Sequence, residues 1–174
     1  MKKLLLFVSL FSVLSFGFWA VSAAPTNFAG TWVLDKGKSE GLNPGMANAE
    51  SVTWTITQDE KELTTKPEVK GGGGGGGGGM GGGQAATFKL DGSETTSDVT
   101  GRMTGKATRK AKWTDGGKML ELNTVINGDF NGNSFTATTV EHWELADGGK
   151  VLKVHRKAES PRGTQESKMV FNKQ

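Results

Sequence analysis

"WELADGGKVLKV", residues 143–154, is the stretch whose reading decides the fold. Apolar residues alternate with polar ones on both sides of Asp147-Gly148-Gly149-Lys150, the period-2 pattern of strands with one buried face. Gly-Gly supplies the positive φ angles that a two-residue type I′ hairpin loop needs. With Gly148 and Gly149 as that loop, Leu145 faces Leu152 and Trp143 faces Val154, so apolar meets apolar. Moving the loop to Asp147-Gly148 keeps the faces but shifts every partner by two. A three-residue loop would put Lys153 and His155 on the core face, against the pattern. "WTDGGK", residues 113–118, repeats the device.

Outward from this hairpin the same alternation continues. Val52, Trp54 and Ile56 share a face, as do Ala86, Phe88 and Leu90, then Leu120, Leu122 and Ile126, and then Met169 and Phe171. The spacing predicts strands near 30–35, 51–58, 62–66, 85–90, 94–99, 104–114, 118–127, 134–145, 150–159 and 164–173. Many short strands with one apolar face each, joined by Gly, Asn and Asp turns, indicate an all-β antiparallel protein. Consecutive hairpins favour an up-and-down meander of 8–10 strands closed into a barrel, which removes exposed edges.

The chain has 174 residues and no cysteine. Lys2 and Lys3, the apolar run from Leu4 and the small residues Val21-Ser22-Ala23 read as a signal peptide over 1–23, cleaved near Ala23. Export to the periplasm or exterior of a bacterium follows, with no stable membrane anchor after cleavage. The remaining 24–174 suffices for one domain and is too short for two. Without disulfides its apolar core has to hold it together. The formal charge of +3 falls to about +1 without Lys2 and Lys3, which is no footprint for nucleic acid.

Twelve of the 27 glycines lie between Lys70 and Gln84. No Gly-Lys-Ser/Thr and no helix signal follows, so the segment does not fit a phosphate loop. The segment 70–84 reads as a disordered poly-Gly loop inserted between two strands, and loop-closure cost grows only logarithmically with length.

Catalytic chemistry finds little support. There is no thiol, and no serine shares a face with a histidine. His142 and His155 fall opposite each other on the polar face and lack a third metal ligand. Asp129, Asn131 and Asn133 lack the Gly and bidentate Glu of a calcium loop and read as an Asn/Gly turn. The expectation is a non-enzyme with no cofactor and no metal.

The inner face carries the exceptions. Arg109 stands with Ala107, Ala111 and Trp113, while Glu141 stands between Ala137 and Trp143. In the hairpin register Glu141 opposes Arg156, and with Pro161-Arg162 as the next turn Arg156 opposes Ser167. A charge among apolar neighbours is costly unless paired. Two readings stay open: a Glu141–Arg156 pair (or a bulge turning the row outward), and an anion site where Arg156 meets a ligand carboxylate beside Trp113 and Trp143. Arg109 is placed about four residues along from that row, roughly 13 Å at strand rise, and is not assigned the same ligand group.

"FAGTWVL" (28–34) ahead of "KGKS" (36–39), with "LDG" (90–92), the "W-x-DGGK-x-L" hairpin and "VFNK" (170–173) in this order, resembles the small secreted bacterial lipocalin-like domains. These belong with the calycin superfamily of lipocalins and fatty-acid-binding proteins. The resemblance implies a barrel with Gly30 and Trp32 at a plugged, closed end. It also implies a lumenal ligand that is apolar or amphipathic, anions included. The Arg-x-Tyr carboxylate anchor of fatty-acid-binding proteins is absent, since Met169-Val170-Phe171 occupies its place on the last strand. "GLNPGMANA" (41–49) is too short and too Gly/Pro-rich for their two-helix lid. The expected function is a monomeric ligand-binding barrel. The alternative is a non-catalytic envelope structural or interaction module with a filled interior. An apolar cavity reached by the Glu141–Arg156 row favours the first; a lumen filled by Trp54, Phe88, Trp113 and Trp143 favours the second.

Overall fold

The structure, a computed structural model, describes residues 25–71, 84–101 and 103–174. The signal peptide read at 1–23 lies outside the described residues, as do positions 72–83 of the expected poly-Gly loop.

Ten strands follow one another along the chain: β1 (Gly30–Leu34), β2 (Ser51–Gln58), β3 (Glu62–Lys70), β4 (Ala86–Lys89) and β5 (Thr95–Val99), then β6 (Thr104–Thr114), β7 (Met119–Phe130), β8 (Asn133–Ala146), β9 (Val151–Ser160) and β10 (Gly163–Lys173). All belong to one antiparallel sheet in the order β4-β3-β2-β1-β10-β9-β8-β7-β6-β5. It is an up-and-down meander whose first and last strands pair, Trp32 opposite Lys173 and Leu34 opposite Phe171. The sheet curls until β4 and β5 nearly meet. No strand ladder joins these two; the Thr95 hydroxyl donates to the Thr87 carbonyl at 2.7 Å.

The deciding hairpin has the expected register: Leu145 pairs with Leu152 and Trp143 with Val154. Gly148 (φ 64°, ψ 30°) and Gly149 (φ 86°) form the left-handed turn, and the Lys150 N–H bonds the Asp147 carbonyl at 3.4 Å. Asp147 is left-handed as well, at φ 50°. Asp115, Gly116 and Gly117 repeat this conformation. Between β7 and β8, Asn131 (φ 54°) and Gly132 (φ 80°) make a two-residue Asn-Gly loop, braced by the Gly132 N–H to Asp129 Oδ1 at 2.7 Å.

The strand expected near 62–66 runs on to Lys70, through Pro67. β4 pairs only with Glu62–Thr65, so the rest of β3 is an edge, where proline is tolerated. Between β1 and β2 a single helical turn, α1 (Pro44–Ala47), stands where two lid helices would not fit. Asn43 caps it by accepting from the Met46 N–H at 3.0 Å, and the Met46 side chain is buried.

Candidate functional site

The ladders stack the inward side chains into layers. One layer runs Trp113, Leu120, Trp143, Val154 and Met169 across β6 to β10, and is wholly apolar. The next runs Ala111, Leu122, Glu141, Arg156 and Ser167, and the one beyond it Arg109, Thr124, Thr139, Ala158 and Gln165. Ala107, Ile126 and Ala137 then return to apolar character. The polar residues singled out on the inner face therefore form two adjacent bands inside the barrel.

The apolar end is closed by aromatic packing. Trp54 lies 4.4 Å from Phe171 and 5.6 Å from Trp143 between ring centroids, and Phe28 meets Trp143 edge-on at 5.7 Å. Trp32 is fully buried, with its indole N–H donated to the Phe28 carbonyl at 2.9 Å and the Lys173 ammonium 5.1 Å above its ring. Gly30, at φ 145°, precedes it, and a β-carbon there would sit 2.7 Å from the Lys173 side chain. Residues leading into β1 cross this end: the Thr26 N–H bonds Gly117, and Gln58 bonds both Thr26 and Phe28.

At the other end a cavity of about 270 Å³ remains. Trp54, Phe88 and Trp143 belong to its apolar lining; Thr124, Thr139 and Ser167 belong to its polar lining, together with Arg109, Glu141 and Arg156. Met46 of α1 also reaches it. The lumen is thus divided, one end filled by rings and the other open, and the open part has a mixed lining that includes the Glu141–Arg156 row.

Glu141 and Arg156 are both mostly buried and approach to 3.5 Å (Oε1 to Nε), while Glu141 Oε2 accepts the Trp143 indole N–H at 3.0 Å. Ser167 lies opposite Arg156. Arg109 differs. It is 8 % exposed, and its Nη1 donates to Ser97 Oγ at 2.7 Å. Its Nε is buried and has no hydrogen-bond partner among the described residues, nor does any carboxylate there form an ion pair with it. Burial pushes this guanidinium below its ordinary pKa, yet a guanidinium is basic enough to stay charged. The Trp54 indole N–H is likewise buried without a partner among the described residues.

Two expectations need correction. Trp113, though in the inward apolar layer, does not border the 270 Å³ cavity: it is half-buried at the closed end, stacked on Phe28 at 6.1 Å, and borders an outer cleft beside the β4–β5 turn. Arg109 is two residues, roughly 7 Å, from the Glu141 row rather than four, because Ala111 pairs with Leu122 and Leu122 with Glu141. The Asn131-Gly132 loop sets that register, and the cluster of turn formers over 129–133 left its position open. Met46, Thr124, Ser97 and Gln165 were not singled out. Hydroxyls and amides on an inner face carry no apolar signature, so alternation alone passes over Thr124, Ser97 and Gln165, and Met46 lies in α1, outside any alternating run.

On the outer face His142 pairs with His155 across β8 and β9, and His142 Nε2 lies 3.3 Å from Glu121. Among the described residues no three side chains are grouped to hold a metal.

No protein-family model matches the chain, and no curated protein matches it by sequence. Solved structures do. Zebrafish ileal bile acid-binding protein, crystallised with cholic acid, aligns at 15% identity over 84% of this chain and 98% of its own, with a TM-score of 0.48. A secretory abundant heat-soluble protein from Ramazzottius varieornatus aligns at 13% identity over 84% of this chain and 94% of its own, with a TM-score of 0.50. At such identities the likeness speaks to fold alone, and the fold is a ten-stranded antiparallel β-barrel.

Proposed function

We propose that this protein is a non-catalytic, exported barrel that binds a small amphipathic ligand in its lumen. One observation carries the reading: the interior is left partly open, and the cavity is lined by indole and phenyl rings together with hydroxyls and guanidinium groups. A purely structural barrel gains stability by filling its interior with apolar groups. Here the core of Trp32, Trp54, Trp143 and Phe171 stops short, and two bands of polar residues follow it. The volume sits at the low end of the range for ligand pockets, so the occupant is compact. The aromatic filling of the closed half favours a second reading, a structural or interaction module whose residual cavity holds only water.

The test is mass spectrometry of the folded protein purified from its own host, followed by denaturation and analysis of the released small molecules. A single stoichiometric compound supports the binding reading. A protein that emerges empty, and that shows no saturable uptake of the neutral fluorophore N-phenyl-1-naphthylamine, is a structural module.

A further inference from the structure

Two residues that line the same cavity carry buried donors. Arg109 and Trp54 are each more than nine-tenths buried, each lines the lumen, and each keeps a ring or guanidinium Nε–H with no acceptor among the described residues. They lie on β6 and β2, so no single hairpin brings them together; closure of the barrel does. A buried donor without an acceptor costs free energy, and a buried cation without a counter-charge costs more. Glu141 does not serve Arg109. Its two oxygens face Arg156 and the Trp143 indole. Glu159, at the rim of the cavity, is exposed and held by Lys157 at 2.7 Å. Among the described residues, the interior next to Arg109 therefore keeps one positive charge without an ion-pair partner, flanked in its layer by the hydroxyls of Thr124 and Thr139.

We propose that the lumen selects a compact aromatic acid, its carboxylate on Arg109 and a second acceptor on the Trp54 indole N–H. The inference rests on the lumenal-binding reading and adds the ligand class and the anchor. The anchor is Arg109, because Arg156 already faces the Glu141 carboxylate. Size sets the rest. A cavity of about 270 Å³ lies near the lower limit for ligand pockets, which suits one substituted ring. Trp54, Phe88 and Trp143 supply ring faces for it. A carboxylate on a desolvated guanidinium makes charge-assisted hydrogen bonds, stronger than those between neutral groups.

The experiment uses the mature protein labelled with nitrogen-15 and follows the indole N–H signals while 4-hydroxybenzoate, its neutral analogue 4-hydroxybenzamide or benzoate is added. Expected is at least tenfold tighter binding of 4-hydroxybenzoate than of the amide, with the Trp54 indole signal moving most. Arg109→Gln should abolish that preference while leaving the ligand-free thermal midpoint unchanged or higher, since it removes an unmatched buried charge. Trp54→Phe should erase the advantage of 4-hydroxybenzoate over benzoate. Equal affinity for acid and amide overturns the inference, as does an acid preference that survives Arg109→Gln. Uptake of neutral N-phenyl-1-naphthylamine without any binding of the acids also overturns it, and leaves the lumenal reading standing. If no probe enters, both fall.

Discussion

Glu141 accepts the Trp143 indole N–H at 3.0 Å on one carboxylate oxygen and faces Arg156 Nε at 3.5 Å with the other. The carboxylate thus joins the apolar layer of the barrel to the first polar one. It supplies an acceptor to an indole 1 % exposed and a counter-charge to a guanidinium 14 % exposed.

Glu141→Ala should therefore destabilise the fold by about 2–3 kcal/mol, since it strands a buried indole N–H and removes the facing charge of a largely buried arginine. Combining it with Arg156→Met should recover part of that loss. Urea unfolding of the three proteins checks both statements, and a double variant no more stable than Glu141→Ala would remove the charge-pair account.

Trp32→Phe keeps most of the buried ring but loses the hydrogen bond to the Phe28 carbonyl. A loss of about 1–3 kcal/mol is expected, with fluorescence of the remaining tryptophans showing an intact closed end. Trp32→Ala should cost about 3–5 kcal/mol.

Gly148 sits at φ 64°, and a β-carbon added there would meet nothing within 4 Å. Strain is then the whole effect of substitution. Gly148→Ala should cost about 1–2 kcal/mol, and Gly148→Asn clearly less, because asparagine tolerates the left-handed region. Thermal midpoints of the two variants decide it.

Asp59 accepts the backbone N–H groups of Glu62 and Lys61 at the β2–β3 turn, and these hold its carboxyl below the ordinary value. A depressed folded pKa contributes stability that is present above the unfolded value, about 3.9, and is lost as pH falls through the folded one. Asp35, held down by Lys38 and then Asn172, and Asp91, held down by Ser93, act in the same direction. The stability difference between the protein and Asp59→Asn should shrink below about pH 4. A difference unchanged between pH 7 and pH 3 in urea unfolding contradicts the assignment.

Much of this architecture was legible because a strand alternates with period two. The rows Val52-Trp54-Ile56 and Leu120-Leu122-Ile126 placed the core face, and Asp-Gly-Gly at 147–149 placed a turn whose register carried Glu141 opposite Arg156 and Arg156 opposite Ser167. Where turn formers crowd together, as over 129–133, several loops fit equally well, and the distance from Arg109 to the Glu141 row came out twice too long. Pro67 hid the second half of β3, because a proline reads as a strand end unless the strand is known to lie on an edge.

The sequence by itself determined the all-β meander, the hairpin register and the presence of charged residues on the inner face, since each follows from local alternation and turn stereochemistry. Only the tertiary structure decided what those charges meet. Ring packing across β1, β2, β8 and β10 fills one half of the barrel and leaves the other open. Curling the sheet brings Trp54 on β2 and Arg109 on β6 to one cavity, and leaves Trp113 outside it. Whether a buried cation has a partner depends on side chains far apart along the chain, and periodicity within a strand carries no information about them.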